Sequence, residues 1–264
     1  MSESIRTVLV VGATGSIGRP VVAEALAKGF KVRALVRDQA KAASLPAGTD
    51  VAPGDLTDGE ALAGVVEGID AVIFTHGSRG GGPTATEAVD YGGVHNILRA
   101  LSGRPVRIVL MTAIGVTVHD GSYNRASGAH DWKRRAERVV RASGNVFTIV
   151  RPGWFDYNDA DQHRIVMLQG DRRRAGDASD GAIARRQIAE VLVASLTSPA
   201  AARKTFELVA GKGPAQSDLG QVFAALQADP RGNLDGVLDP ENFPLADEPV
   251  RVLEQLEAIR NRAY

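Results

Sequence analysis

Residues 5–18 read IRTVLVVGATGSIG and predict a strand, a glycine-rich turn and the start of a helix. Ile5–Val11 is a short β-branched run, typical of a buried parallel strand. After it, Gly12 permits a tight turn, Gly15 lets the backbone approach a pyrophosphate, and Gly18 lets the next helix pack closely on the strand. The N–H groups that open this helix favour a bound phosphate. The stretch therefore predicts a dinucleotide-binding loop formed by Gly12, Thr14, Gly15, Ser16, Ile17 and Gly18.

The rest of the first 155 residues alternates apolar runs with helical patterns. Five further strands are predicted at Lys31–Val36, Asp50–Ala52, Asp70–Thr75, Val106–Thr112 and Val146–Val150. Helices are predicted at Ile17–Lys28, Gly59–Glu67, Thr84–Ser102 and His130–Ser143, and a glycine-rich loop at Gly77–Gly82. This alternation is typical of an α/β fold with a doubly wound parallel sheet, the Rossmann fold, in which helices cover both faces.

The pattern loosens after the sixth strand. Strands are predicted at Ile165–Gln169 and Thr205–Val209, helices at Gln187–Leu196, Leu219–Gln227 and Val250–Arg262, and an extended surface segment at Asp229–Pro249. No linker divides the chain into independent parts. We therefore predict one NAD(P)-binding domain over residues 1–264. Its Rossmann core would be 1–155, and 156–264 would form a substrate-side lid and a C-terminal extension.

The charge of the chain is balanced, with 31 Lys+Arg and 31 Asp+Glu among 264 residues. A zero net charge argues against a dedicated nucleic-acid-binding protein. The sequence has no cysteine, which excludes disulfides and thiolate metal centres, and its histidines show no metal-binding spacing. No apolar run is long enough to span a membrane, so we expect a cytoplasmic protein. Residues 214–264 carry nine acidic and four basic residues, so this acidic part is expected to dock on the basic body or on a second subunit.

The end of the second strand discriminates between NAD and NADP. An acidic residue there accepts hydrogen bonds from the ribose of NAD, whereas a basic residue faces the 2′-phosphate of NADP. The strand Lys31–Val36 is followed by Arg37 and Asp38, with Lys41 one helical turn further on. Arg37 and Lys41 favour NADP, with NAD as the alternative, and Asp38 either binds the ribose or caps the next helix.

These motifs resemble the atypical short-chain dehydrogenase/reductases, in their NmrA-like, NAD(P)H-binding branch, over roughly residues 5–210. The resemblance rests on residues 12–18, 54–56, 111–112, 132–133 and 148–155. It implies several contacts along the cofactor. The adenine is contacted by Asp55 and Leu56, the ribose by Thr75, His76 and Gly77, and the nicotinamide by Pro152. It also implies that Trp154 and Phe155 lie near the substrate.

The resemblance further implies a catalytic set, a Ser or Thr after the fifth strand and a Tyr-x-x-x-Lys on the following helix. Thr112 matches the first position and would orient a substrate oxygen, and Lys133 matches the lysine that holds the nicotinamide ribose. Four residues before Lys133 the sequence has Ala129 in place of the tyrosine. The same helix also carries arginines. In the alternative interpretation, Lys133 is a cation on the solvated face of this helix and does not contact the cofactor. These arginines are Arg134, Arg135, Arg138 and Arg141.

Three explanations for the missing tyrosine stay open. Tyr123 or His130 supplies the proton, or a flavin or quinone substrate needs little help from a protein acid, or the protein senses the dinucleotide without turnover. An epimerase or isomerase on the same fold is a further alternative. The leading prediction is an NADP(H)-dependent oxidoreductase that transfers hydride to or from a small carbonyl, quinone or flavin-like substrate. Its expected partner is a small molecule, with neither nucleic acid nor membrane, and a homodimer is left open.

Overall fold

The computed structural model describes residues 5–78 and 81–261. Its strands are β1 (Thr7–Val11), β2 (Lys31–Val36), β3 (Asp50–Pro53), β4 (Ala71–Phe74), β5 (Arg107–Met111), β6 (Val146–Pro152), β7 (Trp154–Phe155), β8 (Arg164–Leu168), β9 (Ala182–Ile183) and β10 (Lys204–Gly211). Its α-helices are α1 (Gly18–Ala27), α2 (Ala63–Val66), α3 (Gly82–Thr86), α4 (Gly92–Leu101), α5 (Ser122–Ser127), α6 (Ala129–Ala142), α7 (Arg185–Thr197), α8 (Gly220–Ala224) and α9 (Val250–Arg260). A π-helical turn, Glu87–Tyr91, joins α3 to α4.

Eight of the strands form one sheet in the order β3-β2-β1-β4-β5-β6-β10-β8. The first six pair in parallel, and their order is that of a doubly wound dinucleotide-binding sheet. β10 continues the parallel pairing on β6, whereas β8 runs antiparallel to β10. The predicted Rossmann sheet is therefore confirmed. Its order reverses between β1 and β4, which opens a crevice at the carboxyl ends of the strands where such folds bind ligands.

Helices cover both faces of this sheet. On one face α1 and α7 pack against the strands with buried residues such as Val21 and Leu192. On the other face α4, α6 and α9 do so with Val94, Val139 and Leu256. Because both faces are covered, the central strands bury nearly every side chain, which explains their continuous apolar runs.

Most predicted helices and strands are present with small shifts of their ends, but three segments differ. The predicted helix Gly59–Glu67 begins as a 3₁₀ turn, Gly59–Leu62, and only Ala63–Val66 is α-helical. The long helix predicted after β4 contains the π turn. The predicted extended segment at Asp229–Pro249 has little regular structure, as expected, yet it buries Asp229, Phe243 and Glu248. The predicted surface position is therefore wrong for these residues. The two acidic side chains are buried because they pair with arginines of α6.

Strands from both sides of residue 155 share the main sheet, since β8 and β10 follow that position. The division into a core and a lid at this residue stays a prediction. Arg79 and Gly80 of the glycine-rich loop, and Arg262 of the last predicted helix, lie outside the described residues. Within residues 5–78 and 81–261, no helix has the length and apolar character needed to cross a bilayer.

Candidate cofactor and active site

The predicted phosphate loop connects the end of β1 to the start of α1. Gly12 has a φ of +83°, and a Cβ there would lie 2.7 Å from the backbone nitrogen of His76, so this position requires glycine. A Cβ at Gly18 would lie 2.1 Å from the Gly12 carbonyl oxygen. The Gly15 N–H donates to the same carbonyl at 2.9 Å and closes the turn. The loop leads directly to α1, where the Arg19 and Val21 N–H groups donate to the Gly15 and Ile17 carbonyl oxygens and Pro20 has no N–H. The N–H groups of the loop before the helix are therefore the ones that suit a phosphate.

The other loop side chains divide between solvent and core. Thr14 is half-buried and Ser16 is exposed, so both residues are at least partly open to solvent. Ile17 is buried in the core beneath α1. Its predicted contact with a phosphate can therefore involve only its backbone N–H.

Two ion pairs involve the predicted cofactor residues that follow β2 and β3. The Arg37 side chain is 73% exposed, and its Nη1 lies 4.0 Å from an Asp55 oxygen. Asp38 accepts a hydrogen bond from the Ala40 N–H at 3.1 Å, and its other oxygen lies 3.4 Å from Lys41 Nζ. Asp38 therefore caps the following 3₁₀ turn, the second of the two roles that the sequence left open. Arg37 is left extending into solvent at the end of β2.

The turn after β3 separates the roles of Asp55 and Leu56. The Thr57 N–H and hydroxyl donate to Asp55 Oδ1 at 2.9 and 2.7 Å, and the backbone hydrogen bond lowers the pKa of this carboxyl. Leu56 packs on α4, where a Cβ at Gly93 would lie 2.4 Å from its Cδ2. The Asp55 carboxylate stays beside Arg37, while the contact of Leu56 with adenine stays a prediction.

The loop after β4 carries an unpaired hydrogen-bond acceptor. Thr75 Oγ1 donates to the Val11 carbonyl oxygen at 2.9 Å, so this hydroxyl ties β4 to β1. His76 Nε2 lies 3.0 Å from the Val89 carbonyl oxygen and must bear the ring proton, whereas Nδ1 is buried without a partner among the described residues. Burial lowers the pKa of His76 to about 4, so the ring is neutral at pH 7. Nδ1, beside the exposed Gly77, can accept a hydrogen bond from a ligand hydroxyl.

Lys133 lies on α6 and faces this same loop. Its Nζ is 2.9 Å from Asp90 Oδ1 in the π turn, and Asp90 Oδ2 accepts a hydrogen bond from the Ser78 hydroxyl at 2.8 Å. The Lys133 side chain is 19% exposed, so its interpretation as a solvated surface cation is wrong. Asp90 and Ser78 were not predicted as site residues, because a helical pattern carries no signal for a partner on a distant element.

Thr112 follows β5 and Pro152 ends β6, and both are tied into the protein interior. Thr112 Oγ1 donates to Glu137 Oε1 at 2.7 Å, and both residues are buried. The Pro152 carbonyl accepts a hydrogen bond from the Ile114 N–H at 3.0 Å. Because the Thr112 hydroxyl donates its proton to Glu137, the predicted contact between Thr112 and a substrate oxygen is disfavoured.

Tyr123 and His130 lie side by side near the start of α6. Their ring centroids are 5.2 Å apart, and Tyr123 is 58% exposed. His130 Nδ1 lies 3.2 Å from the Val118 carbonyl oxygen and therefore bears the proton, while burial lowers the pKa of the ring. His130 is thus held neutral with its Nε2 as an acceptor, and the Tyr123 hydroxyl is the better proton donor of the two.

Two aromatic side chains are exposed beyond the end of β6. The rings of Trp154 and Tyr157 meet edge to face with centroids 6.1 Å apart. Phe155 packs on the core, with the Arg185 guanidinium 5.4 Å from its ring centroid. Trp154 therefore has a face available to a planar ligand, whereas Phe155 is fixed by its neighbours. Tyr157 was not singled out from the sequence, because an isolated tyrosine in a polar loop has no pattern.

The arginines of α6 form buried ion pairs with the C-terminal segment (residues 229–248). Arg138 lies 2.8 Å from a Glu248 oxygen and 2.7 Å from an Asp235 oxygen. Arg141 lies 3.1 Å from a buried Asp229 oxygen. A solvated basic face is therefore wrong for this helix, and the acidic part docks on the basic body of its own chain. Despite these carboxylates, no group in the described part of the chain is arranged to hold a metal ion.

Arg151 on β6 extends this ionic network beneath the ends of the strands. It is fully buried, with Nη2 2.6 Å from Glu137 and 2.7 Å from Asp239, and with Nη1 3.4 Å from Glu207. Burial raises the pKa of Glu207 to about 7. The Asp171 carboxylate, which accepts hydrogen bonds from two N–H groups of the loop after β5, adds to this increase.

Comparison with known proteins agrees with this geometry. An uncharacterised chloroplast protein of Arabidopsis thaliana is 30% identical over 82% of this chain and 74% of its own length. Sanguinarine reductase of Eschscholzia californica is 28% identical over 83% of this chain and 95% of its own length.

Two solved structures have the same fold. A putative NAD-dependent epimerase/dehydratase from Bacillus halodurans superposes with a TM-score of 0.68 at 24% identity, covering 84% of this chain and all of that chain. A short-chain dehydrogenase/reductase from Veillonella parvula in complex with NADP superposes with a TM-score of 0.60 at 16% identity. The match covers 78% of this chain and 95% of that chain. The sequence profile described as NAD(P)H-binding matches residues 12–199. This chain therefore belongs to the NAD(P)H-binding family of atypical, NmrA-like short-chain dehydrogenase/reductases.

Proposed function

We propose that this protein is an NADP(H)-dependent oxidoreductase that transfers a hydride to or from a small carbonyl, quinone or flavin-like substrate. The observation that carries this proposal lies at the crevice between β1 and β4. There a glycine loop with no room for a Cβ contacts the backbone of His76, whose Nδ1 has no partner among the described residues. The Lys133 ammonium reaches the same loop after β4 through Asp90. These groups fit a dinucleotide, since the loop suits a pyrophosphate and the acceptor and donor suit ribose hydroxyls. The reductase named among the relatives supports the class of reaction.

The choice of NADP rests on the end of β2. The carboxylate of Asp38, which would favour NAD, is used by the Ala40 N–H and by Lys41. The exposed Arg37 guanidinium offers a planar set of donors to a 2′-phosphate. The NADP complex of the Veillonella parvula structure shows the same fold holding this cofactor, which supports the choice for this chain.

A bound nicotinamide cofactor supplies the hydride, and the chain orients the partners and handles the proton. Lys133 and His76 would hold the ribose, and Trp154 would stack on a planar substrate. For a carbonyl substrate, the exposed Tyr123 hydroxyl would donate the proton, since His130 is held neutral as an acceptor. A quinone or flavin requires less help from a protein acid, because the hydride transfer is the cofactor's own chemistry.

The test mixes the purified protein with NADPH and a panel of carbonyls, quinones and flavins, and follows the loss of NADPH absorbance. Two variants, Tyr123→Phe and Tyr157→Phe, each remove one hydroxyl from an exposed tyrosine. With a carbonyl substrate, Tyr123→Phe should slow turnover about 100-fold, and Tyr157→Phe should leave it unchanged. Equal rates in all three proteins would remove Tyr123 from the proton step.

A redox-sensing regulator is the second candidate function. It is favoured by one observation, namely that Ala129, at the position of the family's tyrosine, is a buried methyl group at the start of α6. Tight NADPH binding without turnover of any acceptor in the panel would support the regulator and would contradict the oxidoreductase. An epimerase would instead convert a substrate with no net change in NADPH.

The proposal also includes a cytoplasmic location, with a small molecule as the only required partner. Subcellular fractionation tests the location, and light scattering tests whether the purified protein is a homodimer.

A further inference from the structure

The π-helical turn between α3 and α4 carries two carboxylates, Glu87 and Asp90, which differ in burial and in partner. A π turn contains more residues than an α-turn, so it changes which side chains face the interior, and such turns are frequent at functional sites. Within it Glu87 lies at the surface and pairs with Arg251. Asp90 is 4% exposed and points to the loop after β4. The irregular turn thus carries one buried acid next to the candidate cofactor crevice.

Both oxygens of the Asp90 carboxylate are engaged. Oδ1 lies 2.9 Å from Lys133 Nζ, and Oδ2 accepts the Ser78 hydroxyl proton at 2.8 Å. A Cβ added at Gly77 would lie 3.5 Å from Oδ1, so the carboxylate lies directly under the loop. Asp90 therefore connects three elements, namely the π turn, the loop that follows β4, and α6.

This contact restricts the position of the lysine ammonium. A free lysine side chain is flexible, and ordering it costs rotamer entropy. In this protein the pairing with Asp90 orders it before any ligand arrives. An ammonium has three N–H donors, so donors remain for a ligand hydroxyl. Nearby, Nδ1 of the neutral His76 ring is a buried acceptor that has no hydrogen-bond partner among the described residues. An acceptor and a fixed donor at one crevice suit a sugar with adjacent hydroxyls.

We propose that Asp90 is a positioning residue, whose carboxylate holds the Lys133 ammonium at the carboxyl end of β4 ready for the ribose hydroxyls of the cofactor. The identity of the ligand rests on the proposed function. The link between Asp90 and Lys133 does not depend on it. Asp90 acts through Lys133, so its effect on binding should vanish when the lysine is absent.

The first experiment measures NADPH affinity by fluorescence titration. The variants are Asp90→Asn, Lys133→Met and the double variant, with Glu87→Gln as a matched control from the same π turn. Each single substitution should weaken binding about tenfold, since one hydrogen bond between charged groups is involved. The double variant should bind no more weakly than Lys133→Met, and Glu87→Gln should match the unmodified protein. Additive losses, or unchanged affinity in a folded Asp90→Asn protein, would overturn the proposal.

The second experiment does not require a cofactor. Limited acetylation with mass spectrometry compares the labelling of Lys133 with that of the exposed Lys28 as an internal reference. Asp90→Asn should increase labelling of Lys133 and leave Lys28 unchanged, while Glu87→Gln should alter neither.

The two experiments separate the two proposals. If the unmodified protein binds neither NADPH nor NADH, the proposed function fails, and the labelling result alone decides whether Asp90 holds Lys133. If labelling of Lys133 is the same with and without the Asp90 carboxylate, the positioning role is refuted even where the protein proves to be a reductase.

Discussion

Replacing Glu207 by glutamine should make the stability of the protein less dependent on pH. Glu207 is 3% exposed on β10, between Arg151 and Asp171. Burial raises its pKa from 4.5 to about 7, and the Asp171 and Asp239 carboxylates add to this, while Arg151 and the Asp171 N–H oppose it. A group whose pKa is raised by folding stabilises the protein fully below its unfolded pKa, and this contribution is lost as the pH rises through the folded value.

The size of the effect follows from the difference between the two pKa values. Each unit of difference corresponds to about 1.4 kcal/mol, so ionising the buried Glu207 costs at most about 3 kcal/mol by pH 8. Part of this cost is already present at pH 5, which leaves a change of about 2 kcal/mol between pH 5 and pH 8. Glutamine stays neutral and keeps an oxygen that can accept the Asp171 N–H. For a chain of this length, the difference in melting temperature between Glu207→Gln and the unmodified protein should increase by roughly 4–8 °C from pH 5 to pH 8, in favour of the variant.

The assay is thermal unfolding of both proteins at pH 5, 6, 7 and 8, in buffers of equal ionic strength. Glu60→Gln serves as the control, since Glu60 is 88% exposed and pairs with Arg99 at the surface. The Glu207→Gln curve should separate from that of the unmodified protein as the pH rises, and the control should run parallel to it. A separation that is constant from pH 5 to pH 8 would show that Glu207 does not change its protonation in this range.

Three further predictions concern the loop, the cofactor choice and the buried network. Gly12→Ala should weaken NADPH binding more than tenfold, because its Cβ would lie 2.7 Å from the backbone nitrogen of His76. Gly29→Ala is the control, since Gly29 has a similar φ of +85° but no atom within 4 Å of an added Cβ. This variant should lose stability but keep its affinity for NADPH. Arg37→Ala should weaken NADPH binding about tenfold in a titration and leave NADH binding unchanged, and equal losses for both would remove Arg37 from the phosphate. Arg151→Met should lower the free energy of unfolding, measured by urea denaturation, by about 3–5 kcal/mol, because the buried carboxylates lose their cation. A loss below about 1 kcal/mol would contradict the burial of those charges.

The strands and the phosphate loop were predictable because both are encoded locally. A parallel strand covered on both faces needs a continuous apolar run, and Lys31–Val36 has the predicted bounds. The glycine loop was predictable because its function needs backbone geometry that only glycine adopts, as at Gly12 and Gly18. These signals are read from a few neighbouring residues.

The partners of the polar side chains were not predictable, because they come from distant parts of the chain. Thr112 matches a catalytic position by its place after β5, yet its hydroxyl donates to Glu137 on α6. The charge difference between the two parts of the chain predicted that the acidic part would dock. It did not show that Arg138 and Glu248, 110 residues apart, would meet in the interior. Periodicity reports a buried face but not the residue that covers it.

The docking of the C-terminal segment also determines when this protein can complete its fold during synthesis. The guanidinium of Arg134 on α6 binds the Pro240 carbonyl, 106 residues further along the chain. At about 5–20 residues per second, a ribosome needs about 5–20 s to deliver that partner after α6 has emerged. Until then the helix carries uncompensated arginines that the finished protein buries. A nascent chain cut before residue 229 should therefore be a preferred client of chaperones, even though every strand of its main sheet has already been made.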